Sequence, residues 1–226
     1  SRNKSKCNNG RTCRYMNKVA FHGCSFTQGD GFDIHDRDLL MYHGIVCRQF
    51  NWHSDNYAIR GNSNKRIFHS AANSISCDQY SKVFVQWSEV SRLWLSPEKG
   101  TWWFANDRSN SPYVTNKITI DAETNTLVKK TLTLLNGDYQ NYKDLCDYCQ
   151  ILNELGQLHQ VQIVHINGMV DWTEDKELII DKTRWVNLNQ SMRSLQIDFA
   201  PVDNIHPGPK THQIIAEKIV NYLDSF

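Results

Sequence analysis

Three short and almost wholly apolar runs limit this chain's choices most: Lys18–His22, Lys82–Trp87 and the stretch 161–166. Each is long enough for a strand, too short for a buried helix, and apolar on both faces, as a central parallel strand must be. Between them the apolar residues recur at helical spacing. Leu39, Leu40, Tyr42, His43, Val46, Cys47 and Phe50 form one such set, and Ile214, Ile215, Ile219, Val220 and Leu223 form a stripe along a last helix over 210–223. Further helices are expected over 65–74, with Asn62 or Ser63 as N-cap, and over 142–158. A second strand is expected at 57–60, before Gly61-Asn62-Ser63, and a fifth within 184–188. Strands alternating with helices imply an α/β fold, a three-layer α/β/α doubly wound and mostly parallel sheet.

The chain's 226 residues suit one such domain with an insertion. Residues 96–140 interrupt the rhythm with Pro97, Gly100, Trp102-Trp103, Pro112 and Gly137, so an insertion or lid after the third strand is expected there. Residues 1–15 read as a basic leader or flexible arm, and 16–226 as the domain. A formal charge of +1 gives no electrostatic case for nucleic acid. No apolar run approaches the length of a membrane span. The leader lacks the apolar core of a signal peptide, so a cytoplasmic setting with reduced thiols is the default expectation. Cys146-x-x-Cys149 lies in a helical pattern without a second ligand pair, which argues against a metal centre, and no cofactor is expected.

Two motifs carry chemistry. In Gly23-Cys24-Ser25-Phe26-Thr27-Gln28-Gly29, a serine sits on a glycine-flanked turn directly after the first strand, where it can be exposed as a nucleophile. In Asp203-Asn204-Ile205-His206-Pro207-Gly208, a histidine follows an aspartate by three residues, just before the last helix. His206 as base and Asp203 as its orienter complete a Ser-His-Asp arrangement. Cys24 is a rival nucleophile, but neighbouring side chains on a tight turn point apart, and only one of the two can face His206. Ser25, Gly61, Ser88 and Gly168 all follow strand ends on the side where ligands bind in such sheets.

With these residues in view, the chain resembles the SGNH hydrolase superfamily, the GDSL-like esterases and lipases, over about residues 18–225. The resemblance implies a flavodoxin-like sheet. Cys24 stands where many members have Asp, while the Asp-x-x-His-Pro block is intact as Asp203 to Pro207. Gly61 matches the glycine after strand two, which implies oxyanion donors at the N–H groups of Gly61 and Ser25. The family's Gly-x-Asn-Asp block after strand three is not matched. The segment reads Val85-Gln86-Trp87-Ser88-Glu89, so Ser88 takes the Asn slot if Gln86 takes the Gly slot. A Ser hydroxyl can donate one hydrogen bond, and it stands as the third oxyanion candidate. Phage-encoded relatives look similar here in having Trp-Ser or Trp-Thr with an Arg downstream, which suggests a phage- or virus-encoded member.

The expected activity is hydrolysis of a carboxylic ester, with a small ester or acylated glycan as substrate and a carbohydrate O-acetyl ester as the leading class. Arg92, Trp87 and Asn62 are the candidate substrate contacts, and Glu89 with Arg92 reads equally as a surface ion pair. The alternative is a catalytically weak or inactive protein that kept the fold for a structural or glycan-binding role, such as a virion component or self-associating protein. No nucleic acid and no membrane partner is expected.

Overall fold

The structure is a computed structural model, and it describes residues 18–77, 79–90, 93–95, 103–105, 113–114, 138–169 and 180–225. The sheet is parallel and four-stranded, in the order β2-β1-β3-β7. β1 is Lys18–His22, β2 His53–Asn56, β3 Lys82–Trp87 and β7 Gln162–Asn167. Three short strands, β4 (Leu93–Leu95), β5 (Trp103–Ala105) and β6 (Tyr113–Val114), form a separate antiparallel sheet, with β5 and β6 inside the 96–140 segment and β4 just before it. The basic leader and most of 96–140 lie outside the described residues.

Period-two alternation assigns each strand residue to a side. Ala20, Val83, Val85 and Ile163 pack with Ile67, Ala71 and Ile75 of α4 (Asn64–Ser76) and Leu145, Cys149 and Leu152 of α5 (Asp138–His159). Val19, Phe21, Phe84, Val164 and Ile166 pack on the other side. Their partners are Val46 of α3 (Tyr42–Phe50) and Ile215 and Ile219 of α6 (Pro209–Asp224). Helices on both faces give the three layers expected.

Two strands differ from expectation. β2 lies at His53–Asn56, four residues earlier than 57–60. It is a polar, largely exposed strand at the edge of the sheet, paired among the described residues only with β1. The more β-prone stretch after it is a loop whose amides still reach β1, from Tyr57 N–H to Phe21 O and Ile59 N–H to Gly23 O. Within 184–188 the sole ladder contact is an isolated bridge between Trp185 and His165, beside a turn of 3-10 helix at Lys182–Arg184.

The order β2-β1-β3-β7 reverses direction between β1 and β3, and the crevice beyond their carboxyl ends is where such sheets bind ligands. The turn that follows β1 opens there. No helix among the described residues is long and apolar enough to cross a membrane.

Candidate active site

Ser25 opens α1, a single turn at Ser25–Gln28 that starts two residues past β1. Two strand side chains tie the turn to the sheet, Asn56 of β2, whose Nδ2 donates to Thr27 O at 2.8 Å, and Gln86 of β3. Gln86 Oε1 accepts from the Cys24 N–H (3.1 Å) and from the Thr27 hydroxyl (3.1 Å), and its Nε2 donates to Trp87 O (2.6 Å). Only glycine fits against it. A Cβ on Gly23 would lie 2.7 Å from Gln86 Oε1, and one on Gly168 only 1.7 Å from Nε2. Cys24 Sγ points down to the same oxygen at 3.3 Å, so the thiol lies beneath the turn with Gln86.

The loop after β2 closes over this turn. Asn62 Nδ2 donates to Gly23 O (3.1 Å), Arg60 N–H donates to Gln28 Oε1, and Arg60 pairs with Asp30 at 3.3 Å. Gly61 takes a φ of 69°, in the left-handed region that glycine adopts without strain. The N–H groups of Ser25 and Gly61 have no acceptor among the described residues.

The second motif stands on a different scaffold. His206 Nδ1 donates to Asp203 Oδ2 at 2.5 Å, and Asp203 Oδ1 accepts from the N–H groups of Ile205 (2.9 Å) and His206 (3.1 Å). Asn204 bends the chain by adopting φ 53°, a conformation that Asn tolerates. Burial pushes the Asp203 carboxyl up, but the two N–H groups and the imidazole outweigh it and hold the group below the usual carboxylate value. The turn is framed by Ala200 N–H on His206 O (2.8 Å). Asp198 receives the amides of Lys210 and Thr211 at the start of α6.

The two motifs meet. The His206 ring lies edge-on to Phe26, the residue after Ser25, with centroids 5.9 Å apart. Gly31 abuts Asp203 so closely that a Cβ would stand 2.9 Å from its carboxylate oxygen. Among the described residues no hydrogen bond joins Ser25 Oγ to His206. Such contacts are often long in unliganded enzymes and tighten on binding.

The remaining candidates fall elsewhere. Ser88 spends its N–H on Asn64 Oδ1 (2.7 Å) and its carbonyl on Asn64 Nδ2 (3.2 Å), and its enclosed hydroxyl has no partner among the described residues. Trp87, expected at the substrate, is instead a core residue. Strand alternation turns it to the α4–α5 side, where its indole N–H donates to His165 Nδ1 at 3.1 Å. Asn62 is enclosed as well and serves the turn through Gly23, so neither side chain is open to a ligand. Glu89 is buried rather than on the surface, and Arg92 lies outside the described residues. No cluster of His, Cys, Asp or Glu among the described residues has the make-up of a metal site. Gln86 is the residue that motif reading passed over. Its only sequence signal is a lone amide inside an apolar strand.

No family profile and no curated protein sequence matches the chain. Among solved structures, it is similar to a lipolytic protein of the G-D-S-L family from Desulfitobacterium hafniense DCB-2. The identity is 7%, the coverage 91% of this chain and 99% of that one, and the TM-score 0.48. An acetyl xylan esterase from the rumen bacterium Butyrivibrio proteoclasticus shares 13% identity over 96% of this chain and 66% of that one, with a TM-score of 0.47. A psychrotrophic esterase from Pseudoalteromonas shares 10% over 92% and 97%, with a TM-score of 0.45. The first of these neighbours is described as a G-D-S-L lipolytic protein and the other two as esterases.

Proposed function

We propose that this chain is a serine esterase that hydrolyses a carboxylic ester. Ser25 Oγ attacks the carbonyl carbon while His206 Nε2 takes its proton, and Asp203 holds the ring by Nδ1 and stabilises the imidazolium. The oxyanion falls to the free N–H groups of Ser25 and Gly61. Collapse of the tetrahedral intermediate expels the alcohol, which takes the proton from His206. Water then attacks the acyl-enzyme, with His206 again as base. Carbohydrate O-acetyl esters are the first substrate class to try.

The observation that carries this reading is the Asp203–His206 pair, hydrogen-bonded at 2.5 Å and seated against the residue next to Ser25. Purified protein is expected to release p-nitrophenol from p-nitrophenyl acetate, and Ser25→Ala to stop it. Equal rates for variant and parent remove Ser25 from the chemistry.

One observation favours a second reading, a catalytically weak protein retained for glycan binding or assembly. Among the described residues, the Ser88 hydroxyl that follows β3 is enclosed and offers no open donor. Losing one oxyanion donor costs on the order of a hundredfold in turnover. Under this second reading the protein binds glycans or enters an assembly, with negligible turnover of any ester.

A further inference from the structure

We propose that Gln86 is a positioning residue that sets the direction of the Ser25 N–H by gripping the peptide before it. This rests on the esterase reading, since it assigns that N–H to the oxyanion. Gln86 is fully buried, at 0% exposure, so no ligand touches it. Its partners define its chemistry. The Cys24 N–H can only donate and the Trp87 carbonyl can only accept, so the side chain facing both must accept at one end and donate at the other. A glutamine amide of this length does so at any pH, whereas a carboxyl group would have to be protonated. Turned over, the amide would set N–H against N–H and carbonyl against carbonyl.

Gln86 also stands at the end of a relay. The Tyr42 and Thr27 hydroxyls are 2.7 Å apart, and Thr27 donates onward to Gln86, which leaves Tyr42 as the donor to Thr27. One oxygen thereby holds α1 at two points, through the Cys24 amide at its start and Thr27 in its body. The Cys24–Ser25 peptide lies between these anchors, and its N–H is the first oxyanion donor. The space for this amide is kept by Gly23 on one side and Gly168 on the other. A side chain at either glycine would displace it, which accounts for two glycines at two different strand ends.

The test compares Gln86→Leu and Gln86→Met with the parent by steady-state kinetics and by amide hydrogen exchange. Both remove the two hydrogen-bonding ends, and Gln86→Met, which keeps the unbranched length, stands in if the leucine variant does not fold. The expected result is a fall in kcat of at least about thirtyfold with KM within about threefold, since the oxyanion contact forms only in the transition state. In Gln86→Leu the Cys24 amide should exchange at least about tenfold faster while the Val164 amide in β7 keeps its protection. A kcat within threefold of the parent overturns the proposal, as does unchanged exchange at Cys24 or acceleration shared equally by Val164. If the parent shows no Ser25-dependent turnover, the esterase reading fails by itself, and the exchange comparison still decides whether Gln86 grips the turn.

Discussion

Ser25 and His206 serve one candidate site, yet they are held in opposite ways. The turn bearing Ser25 is anchored across the sheet: its contacts to Gln86 span about sixty residues of sequence, and Asn62 reaches it from the loop after β2. Ser25 itself is 6% exposed. The loop bearing His206 closes on itself through Asp203, Asn204 and Ala200, all within six residues. It carries Phe199, Val202 and Ile205 largely exposed, the last at 70%. The Ser25 turn is thus a product of the whole core, while His206 hangs on a local turn pressed against Gly31 and Phe26. Damage should therefore spread from the first region and stay confined in the second.

The largest effect tests whether the halves work together. His206→Ala should abolish p-nitrophenyl acetate turnover as fully as Ser25→Ala, and the double variant should be no worse than either. Additive losses would mean the two residues act separately. Asp203→Asn should cut kcat by roughly a hundredfold to ten-thousandfold, because it removes the partner that fixes the imidazole tautomer. Its melting temperature should stay close to the parent's, as expected of a local turn.

Acid should strike the core-built half. Burial holds His22 and His212 down at about 3 and His43 at about 4, against a usual value near 6.5. His212 stacks on Tyr42, which bonds Thr27 of the nucleophile turn, and His165 on the far face is likewise held at about 3. Below pH about 6.5 the unfolded chain binds more protons than the folded one, so stability is complete above that pH and is lost as pH falls toward these depressed values. Calorimetry should record a melting temperature lower by on the order of 10 °C at pH 5 than at pH 7.5. A flat profile would mean that these rings are not buried and neutral.

The smallest effect concerns Ser88. Its enclosed hydroxyl has no partner among the described residues, so Ser88→Ala should leave kcat within about threefold and be neutral or slightly stabilising. A hundredfold loss of kcat would make that hydroxyl a third oxyanion donor after all.

The same contrast explains what could be read from the residues. β1, β3 and β7 announce themselves because strands buried on both faces must be apolar throughout. α4 does so because Ser63 caps it, accepting from the Arg66 N–H. The Asp203–His206 turn was legible because its hydrogen bonds are local. β2 was misplaced because an edge strand is free to be polar, and its neighbour 57–60 looks more strand-like yet only lends amides to β1. Trp87 looked like a ligand contact from its place at a strand end, but strand alternation sends it inward. Gln86 was overlooked because its partners, Cys24 and Thr27, are distant in sequence, and no local pattern encodes a contact across the sheet.

The central claim is that Ser25 is a nucleophile activated by His206. It is tested most directly by treating the parent and His206→Ala with a fluorophosphonate and mapping the adduct by peptide mass spectrometry. The account predicts stoichiometric modification at Ser25 in the parent and none in the variant. A label on Cys24, or equal modification of Ser25 in both proteins, would contradict it.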